Sequence, residues 1–168
     1  MRTLISTAAA SLLCLAATPA LAQSISDSDA NTLLGALSTP ASELCADSDK
    51  AKAREPIEQY NACQTALSEL AAVRKKNPKS TPGQNEVYSF YEASLEMGHT
   101  FALLRLDEKP TPRVCVNIEK QWVLANKANV AVVGPQLSEA LTATKDLVGP
   151  LVKLCREKFP VPAGAIPA

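Results

Sequence analysis

The sequence predicts an all-α protein: a helical bundle of four longer helices, preceded by one or two short N-terminal helices and tied by two disulfides. Three observations predict it. Apolar residues recur at steps of three and four through almost every segment, and few stretches alternate with period two. Strong helix formers dominate, with prolines standing where helices begin. Finally, a leader removes one of the five cysteines and leaves an even four.

The leader reads from its parts. Arg2 supplies the positive start, residues 4–17 are an apolar run, and Ala20-Leu21-Ala22 is a small-x-small cleavage site. Residues 1–22 are therefore expected to be a cleaved secretory signal peptide, with Gln23 first in the mature chain. The run is short and broken by Pro19, which is wrong for a spanning helix. Cys14 follows Leu13 rather than a small residue, so it reads as part of the leader and not as a lipid anchor. Export of this bacterial kind places the protein in the periplasm or beyond it, where disulfides persist.

Each element has its own signals. Residues 24–37 hold a first short helix; Ser26, Asp27 or Ser28 can cap it, and Ala30, Leu33, Leu34 and Leu37 form its apolar face. Thr39 caps a second short helix that opens at Pro40 and carries Cys45. Residues 47–52 read as a polar connection. The third helix runs from Pro56 to about Lys76, with Ile57, Tyr60, Cys63, Leu67 and Leu70 on one face. Asn77-Pro78 stops it.

The fourth helix covers about 85–106, with Val87, Tyr91, Leu95, Gly98, Ala102 and Arg105 along one stripe. Gly98 in mid-helix costs about 1 kcal/mol relative to alanine, which a close helix crossing would offset. The fifth helix spans about 112–133, with Cys115, Ile118, Trp122, Ala125, Asn129 and Val132 facing inward. The sixth spans 136–159, and its apolar set is Leu137, Leu141, Leu147, Val148, Leu151, Leu154 and Cys155. Gly149-Pro150 is expected to kink or split it. Residues 23–159 make one helical domain, and residues 160–168 read as a flexible proline- and alanine-rich tail.

Four cysteines allow three connectivities, and hairpin geometry selects one. Cys115 lies about 19 residues before the Gly134-Pro135 turn and Cys155 about 20 after it. Two antiparallel helices rising about 1.5 Å per residue bring those positions level. Cys115–Cys155 is the expected pair, which leaves Cys45–Cys63. No Cys-x-x-Cys occurs, so the spacing of zinc, thioredoxin-like and c-type haem sites is missing, and no cofactor or metal is expected.

Catalytic grammar is thin. His99 is the single histidine and sits in mid-helix; no Gly-x-Ser-x-Gly turn accompanies it, so it reads as a structural histidine. Glu92 and Glu96 are four apart on one helix, a solvated pair rather than a glycosidase site. Asp47-Ser48-Asp49 lacks the glycine and terminal glutamate of a calcium loop. The formal charge is zero, or about −1 without Arg2, which argues against a nucleic-acid partner. No second apolar run reaches membrane-spanning length, so the mature chain is not expected to be membrane-embedded.

These exclusions leave a non-catalytic exported protein-interaction module, such as an inhibitor, an immunity protein or an accessory factor, with another protein as partner. In architecture alone the layout is similar to small helical, disulfide-tied immunity proteins of the periplasm. Two alternatives stand beside this reading: a small-ligand carrier or periplasmic stress chaperone, and a small enzyme. Tyr88, Phe90 and Tyr91 fall within one turn of the fourth helix, so at least one is expected to face outward or to line a groove. The candidate interaction patch is Tyr88, Tyr91 and Trp122, with the basic cluster Arg74, Lys75 and Lys76.

Overall fold

A computed structural model describes residues 24–46 and 48–159. The expected leader and the tail at 160–168 lie outside the described residues. The elements are α1 (Asp27–Leu37), α2 (Pro40–Ala46), α3 (Ser48–Lys52), α4 (Pro56–Lys76), α5 (Pro82–Asp107), α6 (Pro112–Lys127), a 3-10 turn (Val130–Val132) and α7 (Pro135–Lys158). The fold is an all-α bundle. Central α5 packs against α1, α2, α4 and α6, while α7 lies on the far side of α6.

Helix starts follow the predicted chemistry. The Ser26 hydroxyl accepts from the Asp29 backbone N–H at 3.1 Å. Thr39 and Ser42 cap each other's backbone at the head of α2. Thr81 and Gln84 form a reciprocal capping box, so α5 begins at Pro82, three residues before the expected start near 85. The start of α7 is capped from a distance. Gly134 has no side chain to offer, and the Asp27 carboxylate accepts from the N–H groups of Gln136 and Leu137 at 3.3 and 3.4 Å. A Cβ at Gly134 would collide with that carboxylate.

Both disulfides pair as hairpin geometry requires, Cys45–Cys63 and Cys115–Cys155, with Cα separations of 4.7 and 5.4 Å. Each sits inside its own core cluster. Cys45–Cys63 packs with Leu70, Tyr88 and Leu95. Cys115–Cys155 packs with Leu103, Ile118 and Val148. A third cluster joins Ile25, Val87, Leu137 and Leu141, where the Ile25 N–H donates to the Val132 carbonyl at 2.9 Å. The close crossing expected at Gly98 is present. A Cβ there would stand 2.8 Å from the Cys45 carbonyl carbon and 2.9 Å from its Sγ.

Several expectations need correction. Residues 48–52 are a short helix rather than a polar connection, and Arg105 explains it: its guanidinium donates to the Ala51 and Arg54 carbonyls at 2.9 and 2.7 Å. The fifth helix stops at Lys127, not near 133. The Asn129 side chain accepts from the Ala131 N–H at 3.2 Å, which competes with helix continuation and opens the 3-10 turn. Of the kink or split expected at Gly149-Pro150, the split is absent: the sixth helix continues through Pro150. Val148 and Val152 are buried on either side of that proline, and Cys155 is bonded to α6 beyond it.

Candidate functional site

None of the three neighbouring aromatics on α5 is exposed, but Tyr88 lines a groove together with Lys76 and Gln84. Tyr88 is 4 % exposed and belongs to the core around Cys45–Cys63, where Tyr91 is half-buried. Phe90 packs instead on the N-terminal cluster. A helix with neighbours on several sides can bury aromatics that point in different directions. The Tyr91 hydroxyl donates to the Leu37 carbonyl at 2.9 Å, and burial raises its pKa above the ordinary tyrosine value. Trp122 lies in the other core cluster, facing Gly149, so the structure does not bring it to the tyrosines. Arg74 does reach them. Its guanidinium lies 5.8 Å from the Tyr88 ring centre, pairs with Glu92 and donates to Ser89 Oγ at 3.0 Å. Lys75 and Lys76 are exposed beside it.

His99 and Glu96 are both 6 % exposed and join a polar cluster between α5 and α6. Asn117 Nδ2 donates to Glu96 Oε2 at 2.8 Å and contacts His99 Nδ1 at 2.9 Å. Gln64 Nε2 lies 3.1 Å from His99 Nε2, and Glu96 Oε2 lies 3.4 Å from His99 Nδ1. Gln121 Nε2 donates to Thr100 Oγ1 at 2.7 Å and to the Glu96 carbonyl at 3.1 Å. Both ring nitrogens of His99 are engaged by neighbours within this cluster. It locks the register of α5 on α6, since an unmatched polar group here would carry a desolvation cost of about 1–3 kcal/mol.

Across the other face of α6, Glu119 is 3 % exposed and accepts from Arg156 Nε and Nη2 at 2.6 and 2.9 Å. That bidentate pair ties α6 to α7 and raises the Arg156 pKa above its ordinary value. Among the described residues, no group of three or more His, Cys, Asp or Glu is placed to hold a metal ion. Nor is any described helix long and apolar enough to cross a membrane.

Two grooves are lined mainly by apolar side chains. Helices α5, α6 and α7 enclose a groove of about 250 Å³. Val114 and Ile118 of α6 form its floor, Met97 and Leu104 of α5 one wall, and Leu151 and Leu154 of α7 the other. The Cys115–Cys155 disulfide also lines it. Phe101, Leu147, Leu151 and Leu154 are 54, 58, 38 and 41 % exposed, and all four line this groove. Three of the seven apolar residues named on the last helix are therefore exposed. A second groove of about 500 Å³, between α5 and the α2–α3 segment, shares Met97, Phe101 and Leu104 with the first.

Sequence reasoning missed this surface, although a signal was there. Leu147-Val148, Leu151-Val152 and Leu154-Cys155 are adjacent apolar pairs, and adjacent residues on a helix cannot share one face. One member of each pair covers α6, and the other is left over. The buried Gln59, Asn117 and Gln121 carried no comparable signal. No family model matches the chain, and no curated protein or solved structure shows significant similarity to it.

Proposed function

We propose that this is an exported, non-catalytic binding protein that docks a protein partner in the groove between α5, α6 and α7. One observation carries the reading. Among the described residues, six large apolar side chains are exposed, and four of them line this single groove. Contiguous apolar surface rimmed by polar residues marks interaction sites, because leaving it in water costs about 25 cal/mol per Å². Two disulfides suit an oxidising compartment, which supports export to the periplasm. The engaged His99 supports a non-catalytic role, and inhibitor, immunity and accessory proteins are the kinds of exported module that fit. A small-ligand carrier is the second reading, favoured by the way the two grooves meet at Phe101.

Site-directed photo-crosslinking tests the proposal. A benzophenone amino acid is placed at Leu151 in the groove, and separately at Lys75 in the basic cluster, in cells that make the protein naturally. A defined protein adduct from position 151 and none from 75 is the expected result. Adducts only from 75 would move the interface to Arg74, Lys75 and Lys76. A small molecule retained in native mass spectra, with no protein adduct from either site, would favour the carrier.

A further inference from the structure

The groove repeats one spacing on all three of its sides. Met97, Phe101 and Leu104 on α5 are four and three apart; so are Val114, Ile118 and Gln121 on α6, and Leu147, Leu151 and Leu154 on α7. Steps of four and three are the heptad seam, the pattern that receives the knobs of another helix. Gln121 does not break the trough's apolar character, since its amide is spent on Thr100 and Glu96.

Direction also follows from the chain. Residues 108–111 join α5 to α6, and Cys115 near the start of α6 is bonded to Cys155 near the end of α7. The C-terminal ends of α5 and α7 therefore lie together at one end of the groove. Lys158 lines that end; it is the one charged side chain in the lining, and no carboxylate faces in. Two helix C-termini complement the positive N-terminal end of an antiparallel helix, and Lys158 can pair with an acidic side chain in its first turn.

We infer that the partner inserts an amphipathic helix with an acidic first turn, antiparallel to α5 and α7, completing a four-helix bundle with its acidic end against Lys158. This rests on the groove being the docking site. It adds the form, direction and charge of what docks.

The test uses the processed, oxidised protein and labelled 18-residue model peptides read by fluorescence anisotropy. The reference peptide has leucine at both heptad core positions and glutamate in its first turn. One control carries lysine in that turn, and another has a central proline. The glutamate peptide should bind one to one, roughly five-fold or more tighter than the lysine peptide, and Lys158→Glu should reverse that order. Leu151→Ala and Phe101→Ala should each weaken binding roughly five- to ten-fold. The proline peptide should lose binding by a similar factor or more.

Equal binding of the helical and proline peptides overturns the inference, as does a charge preference that Lys158→Glu leaves unchanged. So does a groove filled by a second copy, seen as a dimer by light scattering that blocks the peptide. Binding that appears only after residues 160–168 are removed assigns the groove to that segment and also overturns it. Dodecanoate binding in place of every peptide does the same and favours a carrier. If no helical peptide binds while position 151 still crosslinks a protein, the helix inference fails and the docking site stands.

Discussion

Gly98→Ala is expected to destabilise the protein even though alanine is the better helix former. In an open helix the exchange would stabilise by about 1 kcal/mol. Here the new Cβ would stand 2.8 Å from the Cys45 carbonyl carbon and 2.9 Å from Cys45 Sγ, where ordinary contact begins at 3.4 Å. Cys45 cannot retreat cheaply. It is bonded to Cys63 on α4, and its carbonyl accepts from Gln59 Nε2 at 3.1 Å. Overpacking costs about 1–3 kcal/mol, and a rigid backbone neighbour puts this site at the upper end. Loss of the Gln59 hydrogen bond adds about 1 kcal/mol. Set against the propensity gain, the net effect is a loss of about 2–3 kcal/mol. Urea unfolding of the oxidised protein measures it. Gly35→Ala is the internal control: nothing lies within 4 Å of its added Cβ, so that variant should gain about 0.5–1 kcal/mol. In a Cys45→Ala/Cys63→Ala background α2 is untethered and Sγ is gone, so the penalty should shrink by about 1 kcal/mol or more. A Gly98→Ala protein as stabilised as Gly35→Ala would refute the reasoning, and so would a penalty that ignores the disulfide.

Three further predictions concern the ties that hold the bundle. Removing Cys45–Cys63, which spans 18 residues, should cost about 3 kcal/mol, and removing Cys115–Cys155, which spans 40, about 4 kcal/mol. Denaturant titration of the two double-alanine variants checks both, and an unchanged midpoint would contradict a structural role. Tyr91 has a folded pKa raised by burial, so its contribution is fully present below the unfolded value of about 10 and is lost as pH rises through the folded value. Tyr91→Phe should lose about 1 kcal/mol at neutral pH and should lack that alkaline loss; it should also remove a late phenolate step at 295 nm. Asp27→Ala should cost about 1 kcal/mol by uncapping α7, and hydrogen exchange should speed up at Gln136 and Leu137.

Much of this architecture is local, and local features are legible in a sequence. Thr39-Pro40 and Thr111-Pro112 begin helices because a hydroxyl cap and a preset φ act within four residues. Cys115–Cys155 could be read because a hairpin converts equal distances from a turn into proximity. Even the crossing at Gly98 was announced by a glycine that a helix would otherwise replace. Where reading failed, the deciding partner was remote. Arg105 holds α3 in helical form from more than fifty residues away.

Helix identity, caps and disulfide pairing were thus within reach of the residues alone, since each depends on neighbours or on simple symmetry. The open apolar groove was not. The apolar pattern of α7 says that Leu147, Leu151 and Leu154 avoid water, but not that they find nothing to cover them. That outcome depends on α6 standing between α5 and α7, so that two outer helices leave a trough above a third. Likewise Glu96, His99 and Asn117 read as ordinary polar residues until packing removed water and made each the other's partner. Burial is a property of the assembled chain, and only the tertiary structure decides which apolar stripe is closed and which is left open.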